Sequence, residues 1–150
     1  MSGTTIVSAD SAPAQGNAEL VRRFFADVLS PGGHGRIDDF LAEHFVDHDP
    51  EPDGEPGRAG VARKLAGFRA AFPDGRFEPE IIVAAGDMVS ARSRFVGTQT
   101  GAMGPLPASG RTVEVMFHDF YRIADGRITE HWHVFDAAGM MQTLGAGAAG

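Results

Sequence analysis

The chain has 150 residues, of which 43% are hydrophobic and 22% are charged, and its formal net charge is −7. This length fits a single domain with one hydrophobic core. The acidic balance argues against nucleic acid and anionic membranes as partners. The sequence contains no cysteine, which excludes disulfides, thiolate metal sites and cysteine nucleophiles.

The two ends of the chain are predicted to lie outside the folded domain. Residues 1–16 are small and polar, which predicts a flexible N-terminal tail, and residues 146–150 are predicted to be a flexible C-terminal tail. Residues 17–145 form the predicted domain. The sequence has no apolar run of about 18 residues and no secretory signal pattern at its start. We therefore expect a cytoplasmic protein.

The first half of the domain is predicted to be mostly helical. Apolar residues recur at helical spacing over residues 18–29, after a potential cap at Asn17, and again over 36–44 and 57–72. The segment between the last two predicted helices looks extended and then enters a proline-rich loop over 50–57. That loop could form the rim of a cavity or an exposed connector.

The second half is predicted to be an antiparallel meander, because its pattern changes to a period of two. Strands are expected over residues 77–85 and 88–98, followed by a hairpin with a tight turn at Asp125–Gly126. Asp136 is expected to cap a short C-terminal helix. Helices followed by strands indicate an α+β fold, in which a curved mixed or antiparallel sheet wraps around the N-terminal helices to form a cone.

Alternation along the first strand of the hairpin separates its side chains into two faces. The more apolar face should point inward, and it includes a single carboxylate, that of Asp119. A carboxylate among apolar side chains is a candidate general acid or base. The residues of this face are Val113, Val115, Phe117, Asp119 and Tyr121.

On the return strand, His131, His133 and Phe135 share one face. The pattern does not decide which face is internal, because the opposite face carries bulky residues too: Ile128, Glu130, Trp132, Val134 and Asp136. If the histidines face the pocket, the carboxylate on the neighbouring strand could orient one of them.

Other polar residues give weaker indications. His48 could line the cavity or stabilise a loop, and Arg92 could bind a carbonyl or carboxylate if it points inward, or lie in solvent if it does not. His118 is expected at the surface. His131 and His133 form an H-x-H pair, but no third ligand is fixed, so we predict no metal. Nucleotide-binding and serine-hydrolase motifs are absent from the sequence, and no cofactor is predicted.

An ordered set of short motifs resembles the SnoaL-like polyketide cyclases of the NTF2-like, ketosteroid-isomerase-like superfamily. The resemblance covers about residues 17–145. The motifs are Phe72-Pro73-Asp74, Gly86-Asp87-Met88-Val89 with Arg92, Gly97-Thr98-Gln99-Thr100-Gly101, Ser109-Gly110-Arg111, Asp125-Gly126-Arg127-Ile128, Glu130-His131-Trp132, Asp136 and Gln142-Thr143-Leu144-Gly145.

The resemblance implies a cone with an apolar cavity, usually in a homodimer or homotetramer, that closes a polyketide ring without metal or cofactor. In this family an acid/base side chain removes a proton beside a carbonyl group. The cyclases typically carry an aspartate after the motif at Glu130-His131-Trp132, and His133 stands there in this chain.

The sequence therefore predicts an enzyme that acts on a small, apolar, polyketide-like substrate. Its predicted catalytic residues are His133 and Asp119, and its predicted substrate-binding residues are His131, His48, Arg92, Phe117, Tyr121 and Phe135. The alternatives are an epoxide-opening cyclase or hydrolase of the same fold and a non-catalytic domain that binds small molecules.

Overall fold

A computed structural model describes residues 3–9, 11–32 and 35–145. The tail predicted over 146–150 lies outside the described residues. Within them the elements are β1 (Thr5–Ser8), α1 (Ala12–Asp27), α2 (Ile37–Phe40), β2 (Leu41–Asp47), α3 (Gly57–Ala71), β3 (Arg76–Ala85), β4 (Met88–Thr98), β5 (Thr112–Ala124), β6 (Arg127–Phe135) and α4 (Ala137–Leu144).

The strands form one curved, unclosed sheet in the order β1-β3-β4-β5-β6-β2. The four central strands are antiparallel neighbours, whereas β1 and β2 pair parallel to β3 and β6 at the two edges. Helix α1 packs against β3 and β4, α3 against β2, and α4 against β5. The predicted α+β fold, with a mixed sheet curved around the N-terminal helices, is confirmed.

The N-terminal segment differs from the tail predicted over 1–16. Thr5–Ser8 is an edge strand, and α1 begins five residues before its predicted cap. The Ser11 hydroxyl caps the helix by accepting a hydrogen bond from the Ala14 N–H, whereas the Asn17 amide donates to the Gly86 carbonyl. The pairing partner of β1 is remote in the chain, so local composition could not reveal it.

The second predicted helix is also shorter than expected. Only Ile37–Phe40 is helical, and Leu41 begins a strand that runs to Asp47. This strand is held by parallel pairing with β6, in which Asp47 lies opposite His131. Since that partner is more than 80 residues away along the chain, the long-range pairing overrides the local helical spacing.

The hairpin of β5 and β6 has the predicted turn. Asp125 and Gly126 have φ angles of 52° and 71°, and positive φ at both central residues suits a two-residue turn whose twist matches that of the strands. The turn directs β6 back along β5, so the inward faces of the two strands lie side by side.

One bulge sets the faces of β6. The register shifts at Thr129, which lies between the residues paired with Arg122 and Ile123. As a result Ile128 is fully buried although it is three residues from the inward-facing His131. The predicted grouping of Ile128 with Glu130 is therefore wrong, because the extra residue changes which side chain points to the core.

Two groups of buried side chains fill the interior on either side of a space. The first group lies around α1 and at the ends of the strands that contact this helix. The second group lies near α4 and contains Phe72, Phe95 and Phe117. Each fully buried aromatic side chain stabilises the fold by roughly 1.5–3 kcal/mol. Within the described residues, no helix has both the length and the hydropathy required to cross a bilayer.

Candidate functional site

A cavity of about 320 Å³ lies between the inner face of the sheet and helices α1 and α3. This volume is within the usual range for small-molecule sites. Its walls are mainly apolar, and the ionisable side chains come from β5, β6, α3 and the segment after β2. The lining residues are Phe24, Phe25, Leu29, Leu41, Asp49, Pro50, Glu51, Pro52, Val61, Lys64, Leu65, Phe68, Phe77, Phe117, Asp119, Tyr121, His131, His133 and Phe135.

Most of the residues predicted to form the site lie in this cavity. Asp119 and the two histidines of the H-x-H pair line it, as do the predicted aromatic residues Phe117, Tyr121 and Phe135. The face of β6 that the sequence left open is therefore the histidine face. Pro50–Pro52 also line the cavity, so the first part of the proline-rich loop forms its rim.

Asp119 and His131 form a buried hydrogen-bonded pair. The Asp119 Oδ1 atom is 2.7 Å from His131 Nε2, and the two side chains are 8% and 18% exposed. The Tyr121 ring stacks on the imidazole at 4.8 Å between centroids. Because a carboxylate accepts from the ring N–H, the pair fixes the orientation of His131.

Tyr121 is a protonated phenol in these surroundings. Its side chain is buried, and desolvation together with the negative charge of Asp119 raises its pKa well above the ordinary value. The neighbouring phenol therefore provides a flat wall beside His131 and remains uncharged at neutral pH.

His133 follows His131 on the same face of β6, two residues later, and its environment differs from that of His131. Its ring stacks beside those of His131 and Phe135, and within the described residues its buried Nδ1 atom has no hydrogen-bond partner. Burial, followed by the charges of His131 and Lys64, lowers its pKa, and these effects outweigh the opposing pull of the nearby carboxylates. His133 is therefore a neutral imidazole at neutral pH, and one of its two ring nitrogens is an acceptor.

Lys64 and Asp47 form a second buried pair. Lys64 Nζ is 3.2 Å from Asp47 Oδ2, and the side chains are 18% and 5% exposed. Burial alone would raise the pKa of Asp47, but the Asp49 backbone N–H and the Lys64 ammonium more than compensate and hold it below the ordinary value. The carboxylate of Asp47 is thus charged at neutral pH.

Lys64 was not among the predicted site residues, although the sequence contains a signal for it. Val61, Leu65 and Phe68 form the apolar stripe of α3, and Lys64 has the helical spacing of that stripe. It is also the only lysine in the chain. A lone lysine on an inward-facing stripe points either to a buried ion pair or to a ligand site.

Two predicted site residues lie outside the cavity. His48 stacks on Trp132 at 4.4 Å between ring centroids, and its Nε2 atom is 3.0 Å from Glu130 Oε1. Arg92 reaches His118 Nε2 at 3.1 Å on the outer face of the sheet. The alternation of β4 turns Arg92 away from the interior, and His118 lies at the surface as predicted.

Two histidines of the cavity and the nearby Asp47 have the composition of a metal site. The ligand atoms of Asp47, His131 and His133 lie within 4.8 Å of one another. In this geometry Lys64 already neutralises Asp47, and Asp119 accepts from His131. A divalent ion would have to compete with the ammonium for the carboxylate of Asp47.

Comparisons with known proteins give a family match along most of the chain. A family model described as SnoaL-like polyketide cyclase matches residues 19–144. No protein with a curated description matches the sequence.

Several solved structures are similar to the chain over most of its length. A proposed polyketide cyclase of Bacillus cereus has 26% sequence identity and a TM-score of 0.81, with 95% of this chain and 91% of the other covered. TsrD of Streptomyces laurentii has 28% identity and a TM-score of 0.74, with coverage of 92% and 98%. IdmH of Streptomyces antibioticus, also a proposed polyketide cyclase, has 28% identity and a TM-score of 0.74, with coverage of 86% and 98%.

Proposed function

We propose that this chain, which belongs to the SnoaL-like polyketide cyclase family, closes a ring in a polyketide-like intermediate by metal-free acid–base catalysis. One observation carries the proposal. A neutral imidazole with a free nitrogen, His133, lies beside the Asp119–His131 pair at the polar end of an apolar cavity. A base and an acid in neighbouring positions are what an aldol closure requires.

His133 is proposed as the base. Its free ring nitrogen takes the proton from the carbon beside a carbonyl group, and the electron pair of that C–H bond forms an enolate. The enolate carbon then attacks a second carbonyl carbon of the same substrate, which closes the ring and leaves an alkoxide. The low pKa of His133 keeps this imidazole unprotonated, and therefore ready to accept the proton.

The Asp119–His131 pair is proposed as the acid. The imidazolium form of His131 gives its proton to the alkoxide, and the hydrogen bond to Asp119 orients the ring for the transfer. Exchange with solvent after product release restores both imidazoles. The walls formed by Phe117, Tyr121 and Phe135 bind the apolar part of the substrate and keep water from the enolate.

An assay of two substrates side by side tests the reaction class. A linear polyketide ester should cyclise without change of mass, or with loss of water if the aldol product dehydrates. Asp119→Asn and His133→Ala should each slow this turnover at least about tenfold, with circular dichroism spectra like that of the wild type. Unchanged rates in both variants would contradict the proposal.

A second candidate reaction is epoxide opening, and the Asp119–His131 pair also favours it. The imidazolium could protonate the oxirane oxygen while a hydroxyl of the substrate, or water, attacks the ring carbon. Conversion of an epoxide substrate by the wild type, with no conversion of the polyketide ester, would select this reaction. Saturable binding of both compounds without product would instead identify a binding domain.

The assembly proposed for the chain is a cytoplasmic homodimer or homotetramer. Phe120 and Val134 are 51% and 67% exposed on the outer face of the sheet, and a second copy that covers this face would bury them. Light scattering after size-exclusion chromatography measures the assembly, and a mass equal to that of one chain would contradict it.

A further inference from the structure

The acid–base steps leave the lysine of the cavity without a role. Lys64 is the only Lys or Arg among the described residues that line the cavity. Its ammonium is held 3.2 Å from Asp47, and both side chains are largely buried. A cation in this position serves either the stability of the fold or a ligand.

The Lys64–Asp47 pair is not expected to add much to the stability of the fold. Desolvation of two charges opposes folding, and replacement of a buried ion pair by apolar residues is often neutral or stabilising. The stripe of Val61, Leu65 and Phe68 on α3 would be continued by an apolar residue at position 64. The ammonium is therefore better explained by a ligand than by packing.

The hydrogen bonds of the pair also favour a ligand-binding role for Lys64. An ammonium group has three donors, and within the described part of the chain only Asp47 Oδ2 accepts one of them. Asp47 is itself fixed, because its Oδ1 atom accepts the Asp49 backbone N–H at 3.0 Å. A cation held on one side, with donors left for the cavity, is preorganised for an anionic oxygen.

We propose that Lys64 is an oxyanion-binding site that takes the carboxylate, phenolate or enolate oxygen of a ligand whose remaining surface is an apolar ring system. The charge of Lys64 reaches the neighbouring base, since it contributes to the lowered pKa of His133. In the cyclisation proposed above, Lys64 would hold the enolate oxygen while His133 holds the proton. That extension rests on the proposed function, whereas binding of an anion does not.

A pair of ligands that differ only in charge tests the site. 2-Naphthoate and its uncharged methyl ester carry the same apolar ring system, and calorimetry measures their affinities at neutral pH. The wild type should bind the carboxylate roughly tenfold more tightly than the ester, as expected for a charge-assisted hydrogen bond. Lys64→Met should abolish this preference and leave the affinity for the ester nearly unchanged.

Two further variants control the measurement. Arg63→Met removes one positive charge from the same helix, but Arg63 is 68% exposed and pairs with Glu55, so the preference should persist. Lys64→Met alone leaves the buried Asp47 carboxylate unpaired and could unfold the chain. The double variant Asp47→Asn/Lys64→Met avoids that charge and should also lack the preference.

The single lysine allows a second measurement. An acylating reagent can modify only Lys64 and the N-terminal amine, so peptide mass mapping follows each site separately. 2-Naphthoate should slow acylation at Lys64 more than the ester does, with no effect at the N-terminus. Equal affinity of the wild type for the two ligands, or a preference that survives in the double variant, would overturn the proposal whether or not the chain proves to be a cyclase.

Discussion

The sheet carries two histidine–carboxylate pairs, one on each face of β6. On the inner face His131 lies 2.7 Å from Asp119, and the side chains are 18% and 8% exposed. On the outer face His48 lies 3.0 Å from Glu130, and the side chains are 35% and 29% exposed. Neighbouring residues of one strand thus belong to similar pairs in opposite environments: Glu130 is the carboxylate of the outer pair and His131 the imidazole of the inner pair.

The two pairs differ in their exposure to solvent and in the charged groups next to them. The outer Glu130 also bonds to Arg122, and the His48 and Arg122 contacts lower its pKa despite the opposing effect of burial. Water and nearby charges screen such a pair, which weakens its field. The inner pair faces an apolar cavity, where charges interact more strongly. Burial, rather than residue type, therefore distinguishes the inner pair from the outer one.

The largest expected effect comes from exchanging matched carboxylates for amides. Asp119→Asn should lower kcat/KM for a cyclising polyketide ester about a hundredfold, because the amide removes the negative charge that faces His131, the proposed acid. Glu130→Gln should change it less than about twofold, since Glu130 lies outside the cavity. Comparable losses in the two variants would remove the distinction between the inner and outer faces.

A smaller but more specific effect is expected from the pH dependence of catalysis. In the proposed mechanism the neutral form of His133 is the base, and its pKa is lowered. The acid limb of the kcat/KM profile should therefore lie below the ordinary histidine pKa of about 6.5. His133→Gln should reduce kcat/KM at least about tenfold and remove this acid limb. An acid limb unaltered in the variant would assign it to another group.

The lowered pKa of His133 also predicts a modest effect of pH on the free energy of unfolding. Burial, His131 and Lys64 depress the pKa of His133, with Asp119 and Asp47 opposing them. As the pH falls through about 6.5, the unfolded chain takes up the proton first. The free energy of unfolding should therefore decrease until the folded pKa is reached. In urea titrations across this range, His133→Gln should have a shallower pH dependence than the wild type.

The smallest effect is expected on the outer face. Arg92 contacts His118 and Glu80 near solvent, so Arg92→Met should change the free energy of unfolding by less than about 0.5 kcal/mol. Its kcat/KM should remain within about twofold of the wild type. A large rise in KM would instead indicate that Arg92 reaches the substrate from a conformation other than the one described.

The sequence predicted the parts of the site that depend on alternation within one strand. The inward position of Asp119 on β5 needed only the period of two, whereas on β6 alternation grouped His131 with His133 but left their face undecided. The misplaced His48 shows what local patterns omit, because its position depends on parallel pairing between β2 and β6. Lys64 was missed for another reason, since its role depends on Asp47, which approaches from a different element.

The bulge at Thr129 changes which residues of β6 point inward, because the alternation on one side of it is out of step with the alternation on the other. On its turn side the core receives Ile128, and on its other side the cavity receives His131 and His133. Loss of one residue here would restore strict alternation and send either the isoleucine or the imidazoles to solvent. Near the Asp125–Gly126 turn, an insertion or deletion keeps the inward face of β6 only if it adds or removes an even number of residues. The length of the hairpin therefore determines the site together with its side chains.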